Sequence, residues 1–423
     1  MKILIKNGKV IDPSQKRNGV ADILIENKKI ISIEKNIRAK TDRIIDAHGK
    51  IISPGFIDMH THLREPGEEN KETIASGARA ALYGGFTTVC AMPNTTPSCD
   101  NAAQIQFVLD KGKQAGFANV FPIGAITKDR AGKEMTEMAE MQQAGCVAVS
   151  DDGGSVDDTK LLRRAMEYAA MLRLPVICHC EDKNLFGKGV MHEGYWSTFL
   201  GLRGIPSEAE SIIVGRDIQL AALTGVHLHI AHVSTAQSVD LIRQAKKRGV
   251  KVTAEATPHH FTLTDEALQN YDTNCKVNPP LRSKADVKAI CKGLKDGTID
   301  TIATDHAPHL QVDKEKEFDY APFGLIGLET ALSLAIMQLI DRKILTWPEL
   351  INKLSCNPNK ILRLNKGTLK PGAIADITII DPEKIWRYTK DQIKSKSHNS
   401  PFVDWEMKGK VETVILAGKI WEL

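Results

Sequence analysis

The chain has 423 residues, 42% of them hydrophobic and 26% charged, and 56 Lys and Arg against 52 Asp and Glu leave a net charge of +4. That length fits one large α/β barrel with a smaller unit attached, or two to three ordinary domains. The composition is that of a globular protein with a substantial core, which excludes disorder, collagen-like repeats and a disulfide scaffold, and the scattered charge shows no basic stripe of the kind that binds nucleic acid.

Along the chain, residues 1–54 read as short alternating strands at 3–6, 9–11, 22–26, 30–33 and 44–46. The opening apolar run breaks too soon for the apolar region of a signal peptide. From 55 onward, short β-rich runs alternate with longer amphipathic ones. Strands are expected at 55–60, 86–92, 119–125, 146–150, 175–180, 226–232, 252–256 and 299–305. A helix is expected after each, at 70–83, 101–115, 133–143, 157–173, 207–224, 235–249, 283–296 and 325–343. Asp157-Asp158 and Ser207-Glu208 are helix starts, and Gly225 and Gly249 are stops. Eight consecutive βα units predict a (β/α)8 TIM-type barrel, with an open doubly wound sheet as the competitor. Residues 367–423 return to the strand pattern at 375–380 and 411–416, and residues 4–10 resemble 414–420 as two similar hairpins would. Neither end is long enough for its own core. The expected organisation is therefore one small β domain built from 1–54 and 367–423, flanking a barrel domain of 55–366.

The eight Cys lie mostly in apolar stretches without zinc-ribbon spacing, which favours a reducing, cytoplasmic setting. The longest apolar run, 331–340, is about half a membrane span, so no membrane role is expected.

The chemistry is concentrated at the expected strand ends, where a barrel keeps its active site. Strand one ends in His60-Thr61-His62-Leu63-Arg64, strand two at Asn94, and strand four at Asp151-Asp152. Strand five ends at His179, strand six at His232, and strand eight in Asp305-His306-Ala307-Pro308-His309. Imidazole with carboxylate is a donor set suited to zinc-like metals. In His60-x-His62 the period-2 geometry of an extended chain puts both rings on one side. His232 is preferred to His227 and His229 because it comes last, and those two are expected to pack against the surrounding helices. His259 and His260 are expected in supporting roles, and His48, His192 and His398 in none. Strand four carries no lysine that could be carbamylated to bridge two metals, which leaves Asp151 or Asp152 for that task and the other as a loop cap. The charged stretch 310–320 is expected to be a mobile loop over the site.

These residues resemble the dihydroorotase family of the amidohydrolase superfamily. The resemblance is carried by Pro54-Gly55-Phe56-Ile57-Asp58-Met59-His60-Thr61-His62-Leu63-Arg64-Glu65-Pro66-Gly67, Met92-Pro93-Asn94-Thr95, Ser150-Asp151-Asp152-Gly153 and His179-Cys180-Glu181-Asp182. It continues through Ala303-Thr304-Asp305-His306-Ala307-Pro308-His309, Ala321-Pro322-Phe323-Gly324 and Gly372-Ala373-Ile374-Ala375-Asp376. The resemblance implies that His60, His62, Asp152, His179, His232 and Asp305 hold one or two zinc ions, with Asp152 where many relatives carry a carbamylated lysine. It also implies that Arg64, Asn94 and His309 read the substrate carboxylate, that His62, Asn278 and the Phe323-Gly324 backbone line the substrate, and that Asp305 carries the proton. The implied reaction is reversible, zinc-dependent hydrolysis of dihydroorotate to N-carbamoyl-aspartate in pyrimidine biosynthesis. A homodimer, or a complex with aspartate carbamoyltransferase, is implied in the same way. Two alternatives stay open at this point. One is a sister cyclic amidase (dihydropyrimidinase, hydantoinase or allantoinase), and the other is a catalytically silent assembly subunit.

Overall fold

A computed structural model describes residues 1–423. Eight parallel strands, Phe56–Thr61, Phe86–Ala91, Asn119–Pro122, Val149–Ser150, Val176–Cys178, Leu228–Ile230, Val252–Ala256 and Thr301–Ile302, fall inside or within a residue of the runs expected to form them. The first three pair in sequence and the last five do the same. Two parallel bridges, Gly124 with Val149 and Thr61 with His306, join the two groups into a closed ring. The closure excludes an open doubly wound sheet, and the architecture is a (β/α)8 barrel with a flanking β-sheet.

Helices cover the outside with local signals at their ends. Thr73, Asn101, Asp158, Thr235 and Ser283 each accept a hydrogen bond from a first-turn N–H of the helix that follows. The helix expected from 325 begins only at Ala331. Its missing turn is used elsewhere, because Leu325 forms a parallel bridge to His306 and the Gly327 N–H is donated to the His306 ring.

A second sheet of eight strands draws on both chain ends. In order it runs Lys419–Glu422, Glu406–Leu416, Ile377–Arg387, Ile51–Pro54, Lys2–Asp12, Arg17–Glu26 and Lys29–Glu34, with Arg43–Asp46 also paired to Lys2–Asp12. Adjacent residues in these strands serve different cores, as the two-residue period of a strand requires. Val10, Ile52, Ile379 and Ile415 bury in the sheet's own cluster. Their neighbours Ile11, Ile51, Ile380 and Val414 bury in the large cluster that fills the barrel wall.

The hairpin expected at 4–10 does not form, although 416–419 does turn back as one. Residues 2–12 are one continuous strand with a bulge between Ile5 and Gly8. Asn7 takes the left-handed conformation (φ 63°), and its amide N–H and side chain bond Asp22 and Asp46. A Cβ on Gly8 would come within 2.4 Å of Ile52, so the glycine here serves close packing and not a turn. Between Arg387 and Glu406 the chain leaves the sheet and runs over the barrel rim, where Ser397 Oγ donates to the Lys71 carbonyl at 2.7 Å. No helix is long and apolar enough to cross a membrane.

Candidate metal centre and substrate pocket

The strands deliver six side chains to one point at the barrel's C-terminal end. Donor atoms of His60, His62, Asp152, His179, His232 and Asp305 fall into three overlapping groups, each within 4.8 Å. Asp152 is common to two of them. Its Oδ1 lies 3.3 Å from His60 Nε2 and 3.7 Å from both His179 Nδ1 and His232 Nε2, while its Oδ2 lies 3.5 Å from His62 Nε2. Asp305 Oδ1 stands 2.9 Å from His62 Nε2 and 3.4 Å from His60 Nε2. All six residues are buried.

Whether these residues suit a metal is tested by the polar atoms left over. His60 Nε2 and Asp152 Oδ1 are buried without any hydrogen-bond partner, a costly arrangement unless something else binds them. Both point into the cluster, and the donor set is the imidazole-plus-carboxylate kind that borderline divalent ions favour, so the residues fit a metal. The electrostatics agree. Burial alone would raise the Asp152 carboxyl, yet the imidazoles of His60, His232 and His62 hold it well below the ordinary carboxylate range. Asp305 is held low in the same way, with burial overcome by His60 and His62. His60 responds in the opposite sense, since burial would lower it but Asp152, Asp305 and Glu255 keep it well above the usual imidazole value.

Backbone geometry at the strand ends is unusual. Arg64, His232 and Asp305 all have positive φ (62°, 27° and 49°), a region that non-glycine residues enter at a cost. Such strain concentrates where the chain must turn a side chain into a site.

Of the two acids ending strand four, Asp151 is the loop cap. Its carboxylate accepts the Ile126 and Thr127 N–H groups at 2.8 and 3.0 Å, while Asp152 alone faces the cluster. His227 and His229, expected against the helices, are engaged by the neighbouring strand. Both bond Thr253 Oγ1 on the neighbouring strand, and His229 Nε2 also reaches Glu255 Oε2 at 3.1 Å. The cause is register: Thr253 and Glu255 share a face two residues apart, and His229 pairs with Thr253 in the ladder. Glu255 is the residue the sequence reading missed. Its Oε1 lies 2.6 Å from His60 Nδ1 and accepts the His232 N–H at 3.2 Å, so one carboxylate orients two members of the cluster. The only clue in the sequence is a lone acid inside a buried strand. His259, on the same rim, is buried with neither ring nitrogen partnered, and His260 bonds Thr257 and the Pro279 carbonyl.

A pocket of complementary charge adjoins the cluster. Arg64 is buried, its Nε donating to the Pro308 carbonyl at 3.2 Å and its Nη2 lying 3.3 Å from His309 Nε2. Its nearest acid, Glu68, is 3.9 Å away, and Glu65 is engaged by Lys111 and the Ile74 N–H instead. The guanidinium is thus only partly neutralised, and burial pulls its pKa down. His309 is pushed down to about 2, by burial and then by Arg64, and is therefore neutral. Because its Nε2 faces a donor, the proton is on Nδ1. Asn94 Oδ1 accepts from His62 Nδ1 at 2.8 Å, which turns His62 Nε2 toward Asp305. Asn278 donates to Glu181 at 2.6 Å, and the Phe323 ring lies under the Lys276 ammonium.

The stretch 310–320 is tethered and not a free loop. It contains a short helix, Gln311–Lys314, and the buried Lys314 Nζ donates to the Pro322 and Gly324 carbonyls at 2.8 and 3.0 Å. Lys276 Nζ likewise holds the Phe318 carbonyl at 2.6 Å.

Residues 49–238 match the family model described as Dihydro-orotase-like. A dihydroorotase of Geobacter metallireducens is 52% identical over 421 residues, 99% of both chains. One of Endomicrobium trichonymphae is 53% identical over 425 residues, the whole of both. Among solved structures, the L-hydantoinase of Arthrobacter aurescens superposes with a TM-score of 0.89 at 24% identity, covering 99% of this chain and 95% of that one. The D-hydantoinase of a Thermus species gives 0.84 at 25% identity, with 99% and 94% covered. The hydantoinases share the fold, and the dihydroorotases share the sequence throughout.

Proposed function

The chain belongs to the dihydroorotase family, and from that premise we propose that it catalyses the reversible hydrolysis of dihydroorotate to N-carbamoyl-aspartate, a step of pyrimidine biosynthesis. It is a metal-dependent cyclic-amide hydrolase acting on a small molecule. His60, His62, Asp152, His179, His232 and Asp305 would hold the metal, which we take to be zinc. Held by these residues, a divalent ion would supply an acidified water and polarise the ring carbonyl.

The remaining work belongs to side chains. Arg64, whose planar fork suits a carboxylate, binds that of the substrate together with His309 and the Asn94 amide. Asn278 and the Phe323-Gly324 backbone border the ring. Asp305, held ionised beside His62, takes the water proton on its carboxylate and delivers it to the leaving ring nitrogen. Burial of the cluster keeps bulk water from screening these charges. Residues 1–54 and 367–423 serve as the flanking β unit, and 55–366 as the catalytic barrel. We further take the enzyme to be cytoplasmic and dimeric, with aspartate carbamoyltransferase as a candidate partner.

The observation that carries this reading is the buried, under-neutralised Arg64 facing a neutral His309 beside the metal-type cluster. A ring without a carboxylate gives that guanidinium nothing to pair with. The test is metal analysis of the purified protein with parallel assays on dihydroorotate and dihydrouracil. Bound metal with turnover of dihydroorotate alone is expected. Turnover of dihydrouracil instead would assign the chain to the sister amidases, and absence of both metal and turnover would favour an assembly subunit.

A further inference from the structure

The rim of the barrel is crossed by a segment that belongs to no barrel strand or helix. Residues 394–399 run between loops far apart in sequence, and each link is specific. The Lys394 and Ser395 N–H groups are donated to Glu329, and the Lys396 N–H to the buried Glu72 at 3.0 Å. Ser395 Oγ also bonds Glu72, whose carboxylate receives His306 Nε2 at 3.2 Å. The segment ends on Asn399, a buried residue 4% exposed.

The Asn399 amide uses both ends. Its Oδ1 accepts the His309 N–H at 3.0 Å, and its Nδ2 donates to the Ala307 carbonyl at 3.1 Å and the Gly324 carbonyl at 3.2 Å. Its own carbonyl accepts the Ile326 N–H at 2.9 Å. One planar side chain thus joins the loop carrying His309 to the loop carrying Gly324. Lys314 also holds the Gly324 carbonyl, but no bond joins its amine to His309 or Ala307. Close packing makes the joint stiff, since an added Cβ on Gly324 would stand 2.7 Å from the Ala307 Cβ and 3.2 Å from the His309 ring.

We propose that Asn399 is a positioning residue that sets substrate affinity, by fixing the His309 and Gly324 loops at the spacing that grips a ring bearing a carboxylate. This inference rests on the function proposed above. Asn399 touches no member of the metal-type cluster through these bonds, so its loss should alter substrate binding while the metal stays.

The test compares the wild-type enzyme with Asn399→Ala and Asn399→Asp, using dihydroorotate as substrate and the planar, unhydrolysable orotate as a competing probe. Asn399→Ala is expected to raise the KM for dihydroorotate and the orotate inhibition constant about tenfold each, the scale of one or two buried hydrogen bonds, with metal content kept and kcat changed about threefold at most. Asn399→Asp keeps the acceptor for His309 but opposes two carbonyls with a carboxylate, so both constants should rise again even if the alanine variant folds poorly. Lowered thermal stability with KM and orotate inhibition at wild-type values in a folded variant would make Asn399 a structural staple and overturn the proposal. A wild-type enzyme inactive on dihydroorotate would instead refute the functional reading itself.

Discussion

Glu255 lies 2.6 Å from His60 Nδ1 and 3.1 Å from His229 Nε2, a carboxylate shared between two buried imidazoles at the centre of the barrel. The bond to Nδ1 keeps a proton on that nitrogen and turns Nε2 toward Asp152. Burial would raise the Glu255 carboxyl, but His60 and His229 overcome that and hold it ionised. Glu255→Gln, which keeps the shape and removes the charge, should weaken metal binding about 10- to 100-fold. Competition against a chromogenic chelator measures it directly. Unchanged metal affinity in a folded variant would refute the orienting role.

Arg64→Ala should keep its metal and lose activity on dihydroorotate, with kcat/KM falling about a hundredfold or more, since a charged hydrogen-bonding partner is worth ~1.5–3 kcal/mol and a bidentate one more. Near-full turnover would remove Arg64 as the reader of the carboxylate.

Asp305→Asn should fold and still bind orotate. Its kcat should drop by a factor of about 10² to 10⁴, the usual contribution of a positioned proton carrier. Steady-state assay alongside circular dichroism separates this from unfolding, and undiminished kcat would exclude Asp305 from the proton transfer.

Gly324→Ala places a methyl group where φ is 130° and the Ala307 carbonyl oxygen is 3.1 Å from the new carbon. Both the backbone and the packing resist it, at a cost of about 1–3 kcal/mol. Because the His309 ring is the adjoining surface, the KM for dihydroorotate should rise while metal content holds, which kinetics and elemental analysis together can read.

Lys314 couples the tethered rim to pH. Burial, and after it the neighbouring Lys276, push its ammonium down to about 7. An unfolded lysine titrates near ~10.4, so between about 7 and 10 the unfolded chain binds a proton that the folded one lacks. The destabilising contribution is fully present below the folded pKa and is relieved as pH rises through this window. Urea unfolding midpoints should therefore increase from pH ~7 to ~9.5 in the wild type by more than in Lys314→Met. An equal increase in both proteins would show that the lysine does not titrate there.

Much of the barrel could be read from the chain because its strands are short β-rich runs separated by capped helices, and because His and Asp at strand ends stand out against apolar surroundings. The flanking sheet was harder. Asn7-Gly8 carries a hairpin's residues, yet Gly8 is there to admit Ile52, and only the partner strand reveals that. The strand Ile377–Arg387 runs on past its apolar half into charged residues, where the two-residue pattern fades. Lone polar residues were the least legible. Glu255 announces itself only once Leu228–Ile230 lies beside its strand, and Asn399 only once the chain has folded back some 90 residues to reach His309. The partners of His229 were hidden for the same reason, since they lie on the next strand, 24 and 26 residues along the chain.

The strap that ends on Asn399 also bears on how the protein is made. Synthesis runs from the N-terminus, so all six residues of the metal-type cluster leave the ribosome well before residues 394–399 do. A nascent chain therefore acquires the donors for a metal while the clasp over its substrate loops is still missing. The loops carrying His309 and Gly324 are thus joined only once Asn399 has been made, long after the last of those donors.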